Sequence, residues 1–427
     1  MLSVSYVVKE VVHMSWSRRK FIAGSALGLA TGCAYPPSRS SSVKKVAILA
    51  TVVRKYSHAQ HFIDRFLEGY GWQGRHHYPE VKLASIYVDQ FPDGDLARDR
   101  SQRHNVPIYP TIEETLTLGG SKLAVDGVLI IGEHGKYPRN EKGQTLYPRY
   151  KWFKQIIKVF ENSGRAVPVF NDKHLSTTWD ESAEMVADAK RLHFPFMAGS
   201  SLPVTWRIPA LELPHGAALK ESLCVCYGGI DSYDFHGYET AQCMSERRAG
   251  GEAGVKSVHA LRGERLWPRV NEKLLLAALA RSHTVRGREG YAYSVPTMVS
   301  IKEVNPNATG FIIEHVDGFR TTMLMLNGFV DDFTYAGFAD GRVPSCQMYL
   351  PMPPRYTTLA DFFNPLVNHI EHMVITGKVP FPVERTLLTS GMTLFGVESL
   401  HRGEVKIDTP QMHVAYAAPR ASAFWRK

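Results

Sequence analysis

The stretch VKKVAILAT, residues 43–51, decides the fold of this chain. Its centre, residues 46–50, is apolar with no polar alternation, which predicts a strand buried on both faces. Ser57 follows as an N-cap, and the apolar positions of residues 58–70 recur at helical spacing. A buried strand that leads into an amphipathic helix is typical of a parallel α/β sheet.

The same alternation of strand and helix continues to residue 199. Further buried strands are predicted at 81–88, 125–131, 167–170 and 196–199, and helices at 111–118, 150–162 and 179–192. This order predicts a doubly wound parallel sheet with right-handed crossovers. We therefore expect an N-terminal Rossmann-like domain over residues 43–202, with ligands bound beyond the carboxyl ends of its strands.

Beyond residue 203 the pattern changes to strands with few helices between them. The predicted strands are 223–227, 255–261, 291–302, 308–314, 321–328 and 333–338, and helices follow at 359–376 and 382–400. We expect a C-terminal α+β domain over residues 203–427 with a mainly antiparallel, open sheet. One face of such a sheet is commonly exposed, and we expect that face to form a homo-oligomer.

The composition excludes several classes of protein. Hydrophobic residues make up 44% of the 427 residues and charged residues 21%, which argues against a disordered chain or a coiled-coil rod. No apolar run reaches the roughly 18 residues of a membrane-spanning helix. The net charge of +9 is not concentrated in a Lys/Arg block, and no zinc-finger spacing occurs. No nucleic-acid partner is therefore expected.

Residues 1–42 have the pattern of an export signal followed by a tether. Ser17-Arg18-Arg19-Lys20-Phe21-Ile22 is a twin-arginine pattern, and an uncharged segment of modest hydrophobicity follows it. We expect export to the periplasm by the twin-arginine route. Ala30-Thr31-Gly32-Cys33 is similar to a lipobox, so that Cys33 is an expected lipid anchor. The alternative is a short buried helix that begins with two chance arginines.

Short motifs in the first half follow one another in a particular order. They are Tyr87-Val88-Asp89, Tyr109-Pro110-Thr111-Ile112-Glu113-Glu114, Val125-Asp126-Gly127-Val128-Leu129-Ile130, Asp172-Lys173-His174 and Ala198-Gly199-Ser200. In order and spacing they resemble the Gfo/Idh/MocA family of oxidoreductases over residues 43–400. The resemblance implies hydride transfer between NAD or NADP and a sugar or polyol-like substrate, without a metal.

The resemblance also implies which residues form the site. The implied cofactor-binding residues are Thr51, Arg54, Lys55, Ser57, His58, Asp89, Gly132, His134 and Asp172, and the implied catalytic residues are Lys173, His236 and Glu239. His236 and Glu239 fit the second half of the family's D-x-x-x-H-x-x-D element, whereas position 232 is Ser and Asp231 is one step off. In a Lys–His pair, one group takes the alcohol proton and the other polarises the oxygen. Lys173 is expected to be the base, with its pKa lowered beside a cationic nicotinamide.

The first turn departs from the family's G-x-G-x-x-G pattern. Residues 50–58 read ATVVRKYSH and contain no glycine, although glycine lets backbone N–H groups approach a pyrophosphate closely. Side chains at Val53 and Tyr56 would hold a dinucleotide further out or force a different turn. Arg54, Lys55 and open N–H groups at Ser57 would still supply anion binding.

Two alternatives to a simple dehydrogenase stay open. One is an enzyme that cleaves glycosides by oxidation and elimination, with a retained NAD that suits a compartment without a free nicotinamide pool. The other is a non-catalytic binding protein that keeps the fold without the cofactor. Mass spectrometry of the denatured protein separates them, because released NAD(H) favours an enzyme and its absence favours the binding protein.

Overall fold

The computed structural model describes residues 43–286, 296–421 and 424. The twin-arginine signal, the lipobox at Cys33 and the tether lie outside the described residues and stay predictions. Within the described part of the chain, no helix combines the length and the apolar character that a membrane crossing requires.

The described strands are numbered in chain order. They are β1 (Lys45–Ala50), β2 (Tyr70–Trp72), β3 (Arg75–His77), β4 (Lys82–Val88), β5 (Gly127–Ile131), β6 (Val169–Asp172), β7 (Phe196–Gly199), β8 (Arg207–Ile208), β9 (Leu219–Cys226), β10 (Val255–Arg262), β11 (Thr309–His315), β12 (Arg320–Met325), β13 (Phe333–Ala339), β14 (Ser345–Met348) and β15 (Ile407–Asp408).

The described α-helices are numbered in the same way. They are α1 (His58–Glu68), α2 (Ala97–His104), α3 (Ile112–Thr117), α4 (Arg149–Ser163), α5 (Trp179–Arg191), α6 (Tyr233–Ser245), α7 (Gly263–Leu266), α8 (Glu272–Leu279), α9 (His283–Arg286), α10 (Met298–Val304), α11 (Asn364–Thr376) and α12 (Val383–His401).

Five strands form the predicted parallel sheet, in the order β4-β1-β5-β6-β7. All four strand pairs are parallel. Alternate residues of β1 face opposite sides, because side chains of a strand alternate in direction: Val46 and Ile48 join the core on the α1 and α11 side, while Ala47 and Leu49 pack toward α3, α4 and α5. The prediction of a doubly wound α/β sheet is confirmed.

A second, eight-stranded sheet has the order β15-β10-β11-β12-β9-β13-β14-β8. Its pairs are antiparallel except β12 with β9, which is parallel. One face packs against α6 and α12 in the main core. The prediction of a mainly antiparallel sheet in the second half is therefore confirmed.

The exposed face expected for this sheet is covered by the chain itself. Leu274, Leu275 and Ala278 of α8 pack with Leu223 and Val225 of β9 in a separate apolar cluster. The expectation of an exposed face is wrong, because the chain between β10 and β11 inserts helices over it. The homo-oligomer expected through this face stays a prediction, with no surface assigned to it.

The strand expected at 291–302 is also wrong where it can be compared. Residues 291–295 lie outside the described residues, and the segment beyond them forms the helix α10. The cause is local: the side chains of Thr297 and Ser300 form a reciprocal capping box that starts a helix.

The C-terminal helix α12 packs against the parallel sheet near the ends of its last two strands. Thr386 Oγ1 donates to the carbonyl of Ala198 in β7 at 2.6 Å, and Ser390 Oγ accepts from the backbone N of Leu175 at 3.1 Å. Both bonds are buried. This helix therefore fixes the loops that follow β6 and β7, where the candidate site lies.

Candidate active site

A small cavity lies at the carboxyl ends of β6 and β7, beside the starts of α1 and α6. Its polar lining includes His58, His61, Lys173, Ser200, Tyr233 and His236, and residues of the segment 350–363 cover it. Its volume is about 60 Å³, well above the roughly 10–15 Å³ that one ordered water molecule needs.

Two residues beside the cavity have left-handed backbone conformations. Lys173 has φ 66° directly after β6, and His134 has φ 70° after β5. Such conformations cost residues with a Cβ free energy and persist only where the surrounding structure fixes them. Here the backbone N of Lys173 donates to the carbonyl of Gly199 at 3.2 Å.

Lys173 lies in this cavity as a buried cation. Its Nζ is 3.5 Å from Glu133 Oε1 and 5.7 Å from the centre of the Tyr233 ring. Burial alone would lower the pKa of Lys173, but the charges of Glu133 and Asp172 outweigh burial and raise it above the ordinary value. The pKa of Lys173 is therefore raised, which is the opposite of the lowered pKa expected for a base. At neutral pH Lys173 is an ammonium ion.

Glu133 carries the matching negative charge. Burial would raise the pKa of Glu133, yet the positive charges of Lys173 and Arg149 hold it well below its usual range. The two partners thus form a buried ion pair.

His236 is the neutral group of the pair predicted from the sequence. It lies in the first turns of α6, with Nδ1 3.0 Å from Ser200 Oγ and 3.5 Å from Glu239 Oε2. Burial first, and then the charge of Lys173, holds the pKa of His236 well below its ordinary value. His236 is therefore a neutral imidazole beside an ammonium group at neutral pH, and which of the two takes the alcohol proton stays a prediction.

Glu239 lies behind His236, one turn along α6. Its Oε1 accepts from the backbone N of Ser200 at 2.9 Å, and its Oε2 accepts from the Ser200 hydroxyl. Burial raises the pKa of Glu239 to about 7, although both bonds from Ser200 act in the opposite direction. Gly199 makes room for this carboxylate, because a Cβ there would lie 2.5 Å from Glu239 Oε1.

Asp231 does not take part in the group around His236. Its Oδ1 accepts from Gln144 Nε2 and its Oδ2 from the backbone N of Thr145, both at 3.2 Å. The first half of the D-x-x-x-H-x-x-D element is therefore absent in space as well as in sequence.

Four of the implied cofactor residues form a compact cluster at the start of α1. Ser57 caps the helix by accepting from the backbone N of Gln60, and His58 Nδ1 lies 2.7 Å from Asp172 Oδ2. The rings of His58 and His134 meet at 5.4 Å. Burial and the neighbouring His58 lower the pKa of His134 to about 3, which leaves it neutral.

Polar groups of the glycine-free turn form hydrogen bonds with other groups of the protein. The hydroxyl of Thr51 donates to the carbonyl of Glu133 at 2.6 Å, and the backbone N of Ser57 donates to the carbonyl of Arg54 at 2.9 Å. The open N–H group expected at Ser57 is therefore not available. Arg54 and Lys55 are exposed and do not line the cavity.

Asp89 is already engaged by two tyrosines. Tyr87 donates to its Oδ1 at 2.9 Å, and Tyr137, from the loop after β5, donates to its Oδ2 at 2.6 Å. The same loop is fixed by two hydrogen bonds between Gln90 and the backbone of Lys136. Both carboxylate oxygens of Asp89, the residue expected to contact the cofactor, are thus hydrogen-bonded to tyrosine hydroxyls.

Gly132, also implied as a cofactor contact, is needed for packing. A Cβ at this position would lie 2.5 Å from Cγ of Arg149, a fully buried side chain that donates to the carbonyl of His174 at 2.6 Å. The glycine therefore accommodates a structural arginine.

The residues fit a dinucleotide unequally along its length. At the reactive end, a neutral imidazole, an ammonium group and hydroxyls line one cavity, which is a suitable set of groups for an alcohol or a ketone. At the other end, Asp89 accepts hydrogen bonds from Tyr87 and Tyr137, so a dinucleotide would have to compete with these hydroxyls for the carboxylate. The bonds that hold this loop to Asp89 and Gln90 are exposed.

The described residues contain no cluster of three or more His, Cys, Asp or Glu side chains arranged to hold a metal ion. The acidic and imidazole groups at the cavity pair instead with one another and with Lys173.

Several residues of the site were not identified from the sequence. Ser200, Glu133, Tyr233 and Tyr137 were not assigned roles. The available signal is their position: Ser200 directly follows the strand predicted at 196–199, and Glu133 lies two residues after the strand predicted at 125–131. The position of Tyr137 depends on a loop whose path the sequence pattern does not reveal.

Comparison with known proteins supports the fold. No family profile and no curated protein matches the chain by sequence. Among solved structures, myo-inositol dehydrogenase from Lactobacillus casei, in complex with NAD(H) and myo-inositol, has a TM-score of 0.54 at 10% identity, covering 86% of this chain and 96% of that one. GenD2 from gentamicin A biosynthesis, in complex with NAD, has a TM-score of 0.52 at 11% identity, covering 88% and 99%.

A probable dehydrogenase from Thermotoga maritima is similar as well, with a TM-score of 0.51 at 12% identity, covering 86% of this chain and 99% of that one. At these identities the likeness establishes the fold alone. The resemblance to Gfo/Idh/MocA-type dehydrogenases is thus supported at the level of the fold, along almost the whole length of the similar chains.

Proposed function

We propose that the protein is an oxidoreductase of the sugar and polyol dehydrogenase type, which uses an NAD-type dinucleotide. The observation that carries this proposal is the pairing of neutral His236 with the ammonium group of Lys173 on one cavity. The cavity lies where parallel α/β sheets bind ligands. The similar solved structures that contain NAD support the choice of cofactor.

The two residues divide the chemistry of alcohol oxidation. His236 accepts the proton of the substrate hydroxyl, because its imidazole is neutral. The ammonium group of Lys173 stabilises the negative charge that develops on the same oxygen. A bound dinucleotide supplies the acceptor for the hydride that leaves the carbinol carbon.

The dinucleotide would be held at its other end by Asp89, once Tyr137 releases that carboxylate. Arg54 and Lys55 are exposed beside the start of α1 and would supply positive charge toward phosphates. Myo-inositol and simple hexoses are the first substrates to test with added NAD, by the absorbance of NADH.

A second candidate is a binding protein without a cofactor. One observation favours it: both carboxylate oxygens of Asp89 are occupied by tyrosine hydroxyls. Mass spectrometry of the denatured purified protein tests the choice. Released NAD(H), or NADH formation with an added polyol, supports the oxidoreductase, and the absence of both supports the binding protein.

We expect Tyr137→Phe to strengthen NAD binding about tenfold, because it removes the hydroxyl that competes for Asp89, a hydrogen bond to a charged group. Asp89→Ala should weaken NAD binding by about 1–3 kcal/mol, because it removes the charged carboxylate that would hydrogen-bond to the cofactor. Isothermal titration calorimetry measures both. Tyr150→Phe is the matched control, since it removes a hydroxyl-to-carboxylate bond to Glu184 away from the site. An unchanged affinity in Tyr137→Phe would show that the loop does not compete with the cofactor.

We also propose that the protein is exported by the twin-arginine route to the periplasm and anchored there through Cys33. The support is the sequence pattern of residues 17–33. Replacing Arg18 and Arg19 together by Lys keeps the charge and should retain the precursor in the cytoplasm, as measured by cell fractionation. Cys33→Ala should move the mature protein from the membrane to the soluble periplasmic fraction. Normal export of the double variant would contradict the signal.

A further inference from the structure

Ser200 lies between the carboxylate of Glu239 and the ring of His236. Its hydroxyl oxygen is 3.0 Å from His236 Nδ1 and is bonded to Glu239 Oε2. Its backbone N donates to the other carboxylate oxygen at 2.9 Å. The serine is 3% exposed, so bulk water does not compete for these bonds.

We propose that Ser200 is a positioning residue. Its hydroxyl connects the Glu239 carboxylate to His236 through two hydrogen bonds and so fixes the tautomer of that imidazole. The inference deepens the proposed function by assigning the atom of His236 that accepts the proton. Its effect on rate rests on that function, whereas its effect on the tautomer does not.

The hydrogen bonds among Glu239, Ser200 and His236 fix the position of each proton. An ionised carboxylate can only accept hydrogen bonds, so the hydroxyl proton of Ser200 points to Glu239 Oε2. The serine oxygen can then only accept from His236, which requires the proton of the neutral ring on Nδ1. His236 Nε2 is therefore left with a lone pair, and no side chain in the described part of the protein bonds to it.

Protonation of Glu239 would reverse every bond in the chain. The new carboxyl O–H would donate to Ser200 Oγ, the hydroxyl would turn toward His236 Nδ1, and the ring proton would move to Nε2. His236 would then present a donor to the substrate and lose its ability to accept a proton. No net proton is gained or lost beyond the one on Glu239.

The charged groups around Glu239 determine where this reversal occurs. Burial is the largest influence, Arg385 of α12 and the two bonds from Ser200 favour the carboxylate, and Asp172 at the end of β6 disfavours it. Together they raise the pKa of Glu239 to about 7. Because the carboxylate form is the productive one, turnover should rise as the pH increases through about 7.

The tautomer can be measured without substrate or cofactor. In protein labelled with ¹⁵N-histidine, long-range ¹H–¹⁵N spectra at pH 8.5 should show His236 protonated at Nδ1, with the signal assigned by its loss in His236→Gln. Glu239→Gln should move the proton to Nε2, because the amide NH₂ group donates to Ser200 where the carboxylate accepted. Ser200→Ala should remove the preference, and Ser200→Thr, which keeps the hydroxyl, should restore it.

Kinetics supply the second measurement. Ser200→Ala and Glu239→Gln should both abolish the rise in turnover near pH 7, and Glu239→Gln should lower turnover by up to about 10⁴-fold, the effect of holding a catalytic imidazole in the wrong tautomer. Ser200→Thr should keep the rise. A purely structural serine would alter the melting temperature but leave the shape of the pH profile unchanged.

Two results would overturn the proposal: an Nε2–H tautomer in the wild-type protein at pH 8.5, or a tautomer that neither Ser200→Ala nor Glu239→Gln alters. If the tautomer changes as expected but no polyol is oxidised by the wild-type protein, the positioning role of Ser200 stands and the proposed function fails. The two ideas are thus tested separately.

Discussion

His236→Gln is expected to lower turnover by about 10²–10⁴-fold, the usual contribution of a general base. Glutamine is close to histidine in size and keeps a polar group near Ser200, but it cannot accept a proton from an alcohol. His236 is neutral in the wild-type protein, since burial and Lys173 hold its pKa far below its ordinary value. No buried charge is therefore left unpaired, and the melting temperature should change little.

The control for this variant is His259→Gln. His259 is a partly buried histidine on β10, in the other sheet, and its Nε2 lies 3.0 Å from the carbonyl of Glu404. Both substitutions remove one imidazole with a hydrogen-bonded nitrogen, but only one of them faces the cavity. Turnover of His236→Gln within threefold of the control would contradict the assignment of the base.

Much of the parallel sheet could be predicted because its signals are local. β1, for example, was expected at 43–51 and lies at Lys45–Ala50, and α5 was expected at 179–192 and lies at Trp179–Arg191. A strand buried on both faces is an uninterrupted apolar run, and its crossover helix shows a 3.6-residue period. Neither signal depends on distant residues.

The covered face of the second sheet could not be predicted in this way. The apolar residues of α8 do show that this helix is buried against something, but they do not indicate which sheet face it covers. Leu274 contacts a cluster that includes Leu223 and Ile312, residues far away in the sequence. Which surface a buried helix covers is a property of tertiary packing.

The same distinction applies to the site. Lys173 and His236 could be singled out, because one follows a buried strand and the other forms an i, i+3 pair with Glu239. The charge of Lys173 could not be predicted from the sequence, because it depends on Glu133 at the end of a neighbouring strand. The role of Ser200 depends on the approach of α6 to the end of β7, which brings together residues 36 and 39 positions apart.

Lys173→Met should reduce both turnover and stability. Turnover should fall by roughly 10²–10³-fold, the typical loss when a group that stabilises developing charge is removed. The free energy of unfolding should fall by about 3 kcal/mol, the lower end of the range for breaking a buried ion pair by removing one partner. The lower end applies because Arg149 also acts on the Glu133 carboxylate. Urea denaturation and steady-state kinetics measure the two losses.

The double variant Lys173→Met with Glu133→Gln separates the two roles of the lysine. It removes the unpaired carboxylate, so stability should largely return while turnover stays low. The pH dependence has a definite sign. In the wild type the pKa of Glu133 is lowered, so the pair stabilises the fold at neutral pH and this contribution is lost as the pH falls through that lowered pKa.

In Lys173→Met the attraction of the ammonium group is gone, and burial favours protonated Glu133. The deficit in stability relative to the wild type should therefore be largest near pH 8 and shrink toward pH 5, whereas the double variant should show little such dependence. Recovery of turnover in the double variant would mean that Lys173 only neutralises Glu133. Persistent loss of turnover with restored stability would instead support a role for the ammonium group at the reacting oxygen, as proposed.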